Sequence, residues 1–67
     1  MKAYYVCVAG GTRIPGVIYA TCITKAARKF IATLNKPARY ELAGRCYASV
    51  RFNDNYSVGS DYVIMEV

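Results

Sequence analysis

The side chains best equipped for chemistry in this chain are cations and phenols. Nine Lys and Arg stand against four Asp and Glu, seven residues are Tyr, and none is His. Without His, the commonest general base and the commonest metal ligand are missing. The four carboxylates, Glu41, Asp54, Asp61 and Glu66, have no spacing that forces two of them together, and no Ser sits in a nucleophile-elbow pattern. The one nucleophile with an activating position is Cys22, at the start of a predicted helix whose amino terminus would favour a thiolate. Its competing reading is a plain structural cysteine. No catalytic residue, cofactor or metal is expected, and the chain reads as a binding protein.

Three sets of residues are candidates for contact. The first is Lys25, Arg28, Lys29 and Lys36, the basic positions of the stretch CITKAARKFIATLNK, residues 22–36, which contains no acid. Solvated helices usually mix signs, because a Glu four residues before a Lys adds about 0.2–0.5 kcal/mol. An unmixed basic stripe therefore points to a negatively charged partner; the plainer reading is the wet side of a helix. The second set is Arg39, Tyr47 and Arg51, which alternate with apolar residues and fall on one side of an extended segment. Arg and Tyr so placed suit a protein hot spot or a stacked nucleic-acid strand, or simply pack across a solvated face. The third and weakest is Gly10, Gly11 and Arg13 in GGTRIPG, where glycine amides and a guanidinium could cradle a phosphate. That loop lacks the Lys and Ser or Thr of a P-loop and opens into a strand, so an ordinary hairpin connection competes.

The elements that would carry these residues follow from spacing. AYYVCVA, residues 3–9, is β-branched and aromatic and runs into two glycines, which predicts a strand. VIYAT, residues 17–21, predicts a second strand in hairpin with it. Apolar residues at Ile23, Ala26, Ala27, Phe30, Ile31 and Leu34 match the spacing of one helix face without a miss. Thr21 or Thr24 is the expected cap, and Asn35 and Pro37 the expected stop. RYELAGRCYASVRF, residues 39–52, alternates as a half-buried antiparallel strand, with Gly44 as a bulge or bend splitting it. In it Tyr40 shares the apolar side and Tyr47 does not. A turn at Asn53–Asn55 and a closing strand over residues 62–67 complete a ββαββ order. The expected fold is α+β: a two-layer sandwich in which an antiparallel sheet carries a single helix on one face and leaves the other face wet.

Size and charge limit the rest. At 67 residues the chain is one domain, 1–67, of a size that hides only about 60% of its surface on folding. A net charge of +5 favours an acidic protein surface or nucleic acid, and also keeps a tyrosine-rich chain in solution. Cys7, Cys22 and Cys46 are odd in number and irregularly spaced, so they read as three buried thiols in a reducing compartment. No apolar run is long enough to span a membrane, and MKAYYVCVAGG makes a poor signal peptide. The expected location is the cytoplasm. An uncovered sheet face and a small core also make a homodimer, through that face or an edge strand, a reasonable expectation.

VIYATCITKAARKF, the terminal VIMEV and the strand at the very start together resemble small phage-encoded type I anti-CRISPR and host-takeover proteins, several of which share this layout. The resemblance implies a non-catalytic, stoichiometric inhibitor acting in an infected bacterial host. Such a protein binds an RNA-guided surveillance complex or its nuclease, a Cas effector, and blocks DNA binding or nuclease recruitment. It transfers no binding residue. Many such inhibitors are acidic DNA mimics, whereas this chain is basic, so the expected contacts are acidic protein patches or the guide RNA or DNA itself. A small basic nucleic-acid-binding module is the alternative.

Overall fold

A computed structural model describes residues 1–56 and 59–67. The β-rich runs form β1 (Lys2–Val8), β2 (Ile18–Ala20), β3 (Ala38–Leu42), β4 (Tyr47–Phe52) and β5 (Tyr62–Glu66), and the single helical run forms α1 (Ile23–Ala32). All five strands join one sheet in the order β2-β1-β5-β4-β3, and every neighbouring pair is antiparallel. The helix packs against β2, β3, β4 and β5. The protein is thus α+β, one helix on a five-stranded antiparallel sheet.

The order is ββαβββ, and it corrects the expected ββαββ at one place. Residues 39–52 are two strands, β3 and β4, folded back on each other through Gly44, whose φ of +87° suits glycine. The turn is closed by the Ala43 amide donating to the Tyr47 carbonyl at 3.0 Å. Reading one continuous strand nonetheless sorted the side chains correctly. Tyr40 faces Val50 and Leu42 faces Ala48, so even-numbered residues pair with even-numbered ones, and folding the segment back leaves each set on its own face.

The helix buries the stripe that its spacing predicts. Ile23, Ala26, Ala27 and Phe30 are buried, and Ile31 and Leu34 pack at the border of the core. Its cap differs from expectation: Cys22, in extended backbone, occupies the cap position, and no side chain caps the helix. It also stops early, at Ala32, because Thr33 turns both its amide and its hydroxyl onto the Phe30 carbonyl, at 3.0 and 2.7 Å. On the sheet side the core is Tyr4, Val6, Ala20, Ala48, Val50 and Ile64. Tyr62 sets its ring edge-on to Phe30 at 5.0 Å and to Phe52 at 5.9 Å, contacts each adding about 0.5–1.5 kcal/mol beyond simple burial.

Of the three free cysteines only Cys7 is buried; Cys22 and Cys46 are exposed. The expectation of three buried thiols fails at Cys22 because a cap position lies at the surface, and at Cys46 because it lies in the β3–β4 turn. No described helix is long and apolar enough to cross a membrane.

Candidate functional site

The helix covers one face of the sheet, and pairing fixes what the other face presents. Across its middle, Tyr5 of β1 stands opposite Met65 of β5, and Met65 opposite Tyr47 of β4. The Tyr5 hydroxyl reaches the Met65 sulfur at 3.6 Å. The next row runs Cys7, Val63, Ser49, Glu41, and Arg51 and Arg39 form the row after it. Tyr19, opposite Ala3 on the short strand β2, extends the face at its far side and is 57% exposed.

Arg13 joins this face from the loop. An isolated bridge to Cys7 lays residue 13 beside β1, and its guanidinium sits 4.6 Å from the centre of the Tyr5 ring, a cation–π arrangement. Arg39 and Arg51 are direct cross-strand partners, a like-charge pairing that weakens a sheet. Arg39 turns partly away, donating to the Phe52 carbonyl and to Asn53 Oδ1, both at 3.4 Å. The face therefore has an apolar and phenolic middle, Tyr5, Met65, Tyr47 and Val63. Three arginines border it against one carboxylate, Glu41.

The helix residues are distributed differently. Lys25, Arg28 and Lys29 are exposed on the outer side of α1, but the Lys29 ammonium donates to the Tyr19 carbonyl on β2. Lys36 lies beyond the helix end, paired with Asp54 at 2.8 Å and 4.7 Å above the Phe52 ring. The four do not form one stripe: among the described residues, the Lys29 and Lys36 side chains are engaged, whereas those of Lys25 and Arg28 make neither a side-chain hydrogen bond nor a carboxylate ion pair. Glu66 pairs with Lys2 at 3.5 Å. Asp61 accepts from the Phe52 amide at 2.8 Å and the Asn55 side-chain amide at 3.0 Å.

The glycine loop separates its own candidates. Gly10 and Gly11 take the positive φ values a tight turn needs, +110° and +115°. The Gly11 amide is engaged by the Val8 carbonyl at 2.9 Å, while Arg13 points to the sheet face. Cys22 makes no capping bond as a thiol. Its pKa is lowered chiefly by the Lys25 backbone amide; burial opposes this as the next largest effect, and the Thr24 amide, the Lys25 charge and the Thr21 side chain add to the lowering. No group of three His, Cys, Asp or Glu that could hold a metal occurs among the described residues.

Fold and face together define a small one-helix α+β protein with an arginine-bordered, tyrosine-rich sheet face. No protein-family model, curated protein or solved structure matches the chain. Of the residues singled out in the sequence, Arg39, Tyr47 and Arg51 share the open face, and Arg13 joins them instead of the glycines. Tyr5, Tyr19 and Met65 escaped sequence reading. The signal was there in the alternation of β1 and β5, whose odd-numbered residues fall on the open face, but it needs the register between the two strands to be seen.

Proposed function

We propose that the protein is a non-catalytic inhibitor that grips a host RNA-guided surveillance complex through the helix-free face of its sheet, blocking DNA binding or nuclease recruitment. The observation that carries the choice of surface is the row Tyr5, Met65, Tyr47 with Arg13, Arg51 and Arg39 around it. Tyr, Met and Arg are the residues enriched at the desolvated centres of protein interfaces. A sheet face also presents them with little conformational freedom left to lose on binding. The opposed pair Arg39 and Arg51 is relieved by a carboxylate or phosphate set between the two. The choice of target rests on the layout resemblance to type I anti-CRISPR proteins and on the excess positive charge. Titrating the protein into a purified type I surveillance complex with target DNA tests it: DNA binding or cleavage should fall to zero near molar equivalence. Unchanged DNA binding and cleavage at saturating protein would remove the target class.

A second reading, single-stranded nucleic acid on the same face, is favoured by one observation, the Arg13 guanidinium lying over the Tyr5 ring on a face that also carries the half-buried ring of Tyr47. With three arginines on phosphates, affinity would fall with a log–log salt slope of about −2, so that raising salt from 50 to 200 mM weakens binding about 20-fold. Absence of binding to a labelled oligonucleotide at 50 mM salt would discard it.

A further inference from the structure

The two edges of the sheet are not equivalent. β2 is three residues long, and its outward carbonyl at Tyr19 already accepts from Lys29; Pro15 precedes it. A short strand with a lysine on its free side is how natural sheets blunt an edge. β3 runs for five residues, Ala38–Leu42, with no lysine, proline or bulge inside it. The Ala43 amide donates to Tyr47, and the Asn53 amide to Pro37. Because hydrogen-bonded and non-hydrogen-bonded pairs alternate in an antiparallel ladder, the odd residues of β3 bond to β4. The amides and carbonyls of Ala38, Tyr40 and Leu42 therefore point outward.

We infer that β3 is a dimerisation edge, and that its partner is β3 of a second copy of this chain, antiparallel and centred on Tyr40. The charge pattern of ARYEL selects that register. A two-fold axis at Tyr40 sets Arg39 of each copy opposite Glu41 of the other. Axes at residue 39 or 41 would oppose Arg to Arg or Glu to Glu, which is destabilising. In the Tyr40 register the outward groups of residues 38, 40 and 42 face one another as hydrogen-bonded pairs. Apolar matching agrees. Leu42, 45% exposed, falls opposite Ala38 of the other copy. There it meets an open groove of about 450 Å³ between α1 and β3, lined by Ile31, Ala32, Ala38 and Tyr40 with Arg28 and Arg39 at its borders. The result is an isologous dimer with one continuous sheet, both helices on one side and both tyrosine faces on the other.

Sedimentation equilibrium on the full chain across a micromolar to millimolar range tests this, with Arg39→Glu, Glu41→Arg and the double exchange. Both residues are exposed, and far-UV circular dichroism checks that each variant is folded. The expected result is a wild-type monomer–dimer equilibrium, weakened about tenfold or more in either single variant by two like-charge oppositions, and restored in the double exchange, which rebuilds both ion pairs with signs reversed. A wild type monomeric throughout overturns the inference, and so does a dimer indifferent to the single variants or a double exchange that fails to restore it.

Discussion

Tyr4→Phe should make this protein more stable. Tyr4 is fully buried on β1 beneath the helix, and its hydroxyl is the one buried side-chain oxygen or nitrogen among the described residues without a hydrogen-bond partner. Burial, then the nearby Glu66 charge, raises its pKa, the same desolvation seen from the acid–base side. An unpaired buried hydroxyl costs about 1–3 kcal/mol relative to one left in water. Phe keeps the ring and its contacts and removes that cost, while the one-atom void it leaves offsets a part. The net gain expected is about 1 kcal/mol, which in a domain of this size raises the melting temperature by about 4–8 °C. Thermal unfolding followed by circular dichroism, repeated in urea to obtain the free energy directly, reads it. The reasoning is decided by sign. A buried tyrosine with a satisfied hydroxyl loses about 1 kcal/mol on this change, so a variant that melts several degrees lower would show that Tyr4 has a partner, such as an enclosed water.

Two further outcomes follow from the charged and thiol groups. Asp61 has its pKa held below the ordinary carboxylate value, chiefly by the Phe52 amide and then by the Asn55 side chain. The stability it contributes is therefore fully present above the unfolded-state pKa of about 4 and is lost as pH falls through the lower folded value. The advantage of wild type over Asp61→Asn in urea unfolding should be full at neutral pH and shrink below about pH 4; an advantage independent of pH would contradict the assignment. Cys22 is exposed with a lowered pKa, whereas Cys7 is buried. Alkylation of the native protein with iodoacetamide should label exposed Cys22 ahead of buried Cys7, with a pH midpoint for Cys22 below that of a free thiol, and labelling of Cys7 ahead of Cys22 by mass spectrometry would refute it.

Much of the fold was legible because two periodicities were strong. The helix stripe from Ile23 to Leu34 allowed one reading, and the alternation from Arg39 to Phe52 assigned the side chains of β3 and β4 to their faces even though the segment folds into two strands, missing only at the turn, where Cys46 is exposed. The count of strands was not legible. A three-residue turn pairs even residues with even ones, so periodicity alone cannot tell a long strand from this hairpin; only the positive φ required at Gly44 marks the reversal. The helix cap was obscured for another reason. Thr21 and Thr24 both have the right side chain, but packing Ile23 inward places Cys22 at the boundary. For the site, Arg39, Tyr47 and Arg51 could be grouped from one segment. Arg13, Tyr5 and Met65 come from distant parts of the chain and meet only through the β1–β5 register and the loop bridge at Cys7. The basic helix stripe looked uniform in sequence, yet Lys29 is directed to the β2 edge and Lys36 to Asp54, contacts that no local spacing announces.

The claim that the open sheet face is the contact surface is tested most directly by two paired substitutions, one on each face, in one inhibition assay. Tyr47→Ala with Arg51→Glu alters the sheet face, and Lys25→Glu with Arg28→Glu alters the helix face. All four side chains lie outside the buried core, so each pair should leave folding intact. With a purified type I surveillance complex and its target DNA, inhibition is predicted to weaken at least tenfold in the sheet-face variant and to stay unchanged in the helix-face variant. Inhibition that survives the sheet-face change and is lost with the helix-face change would contradict the account.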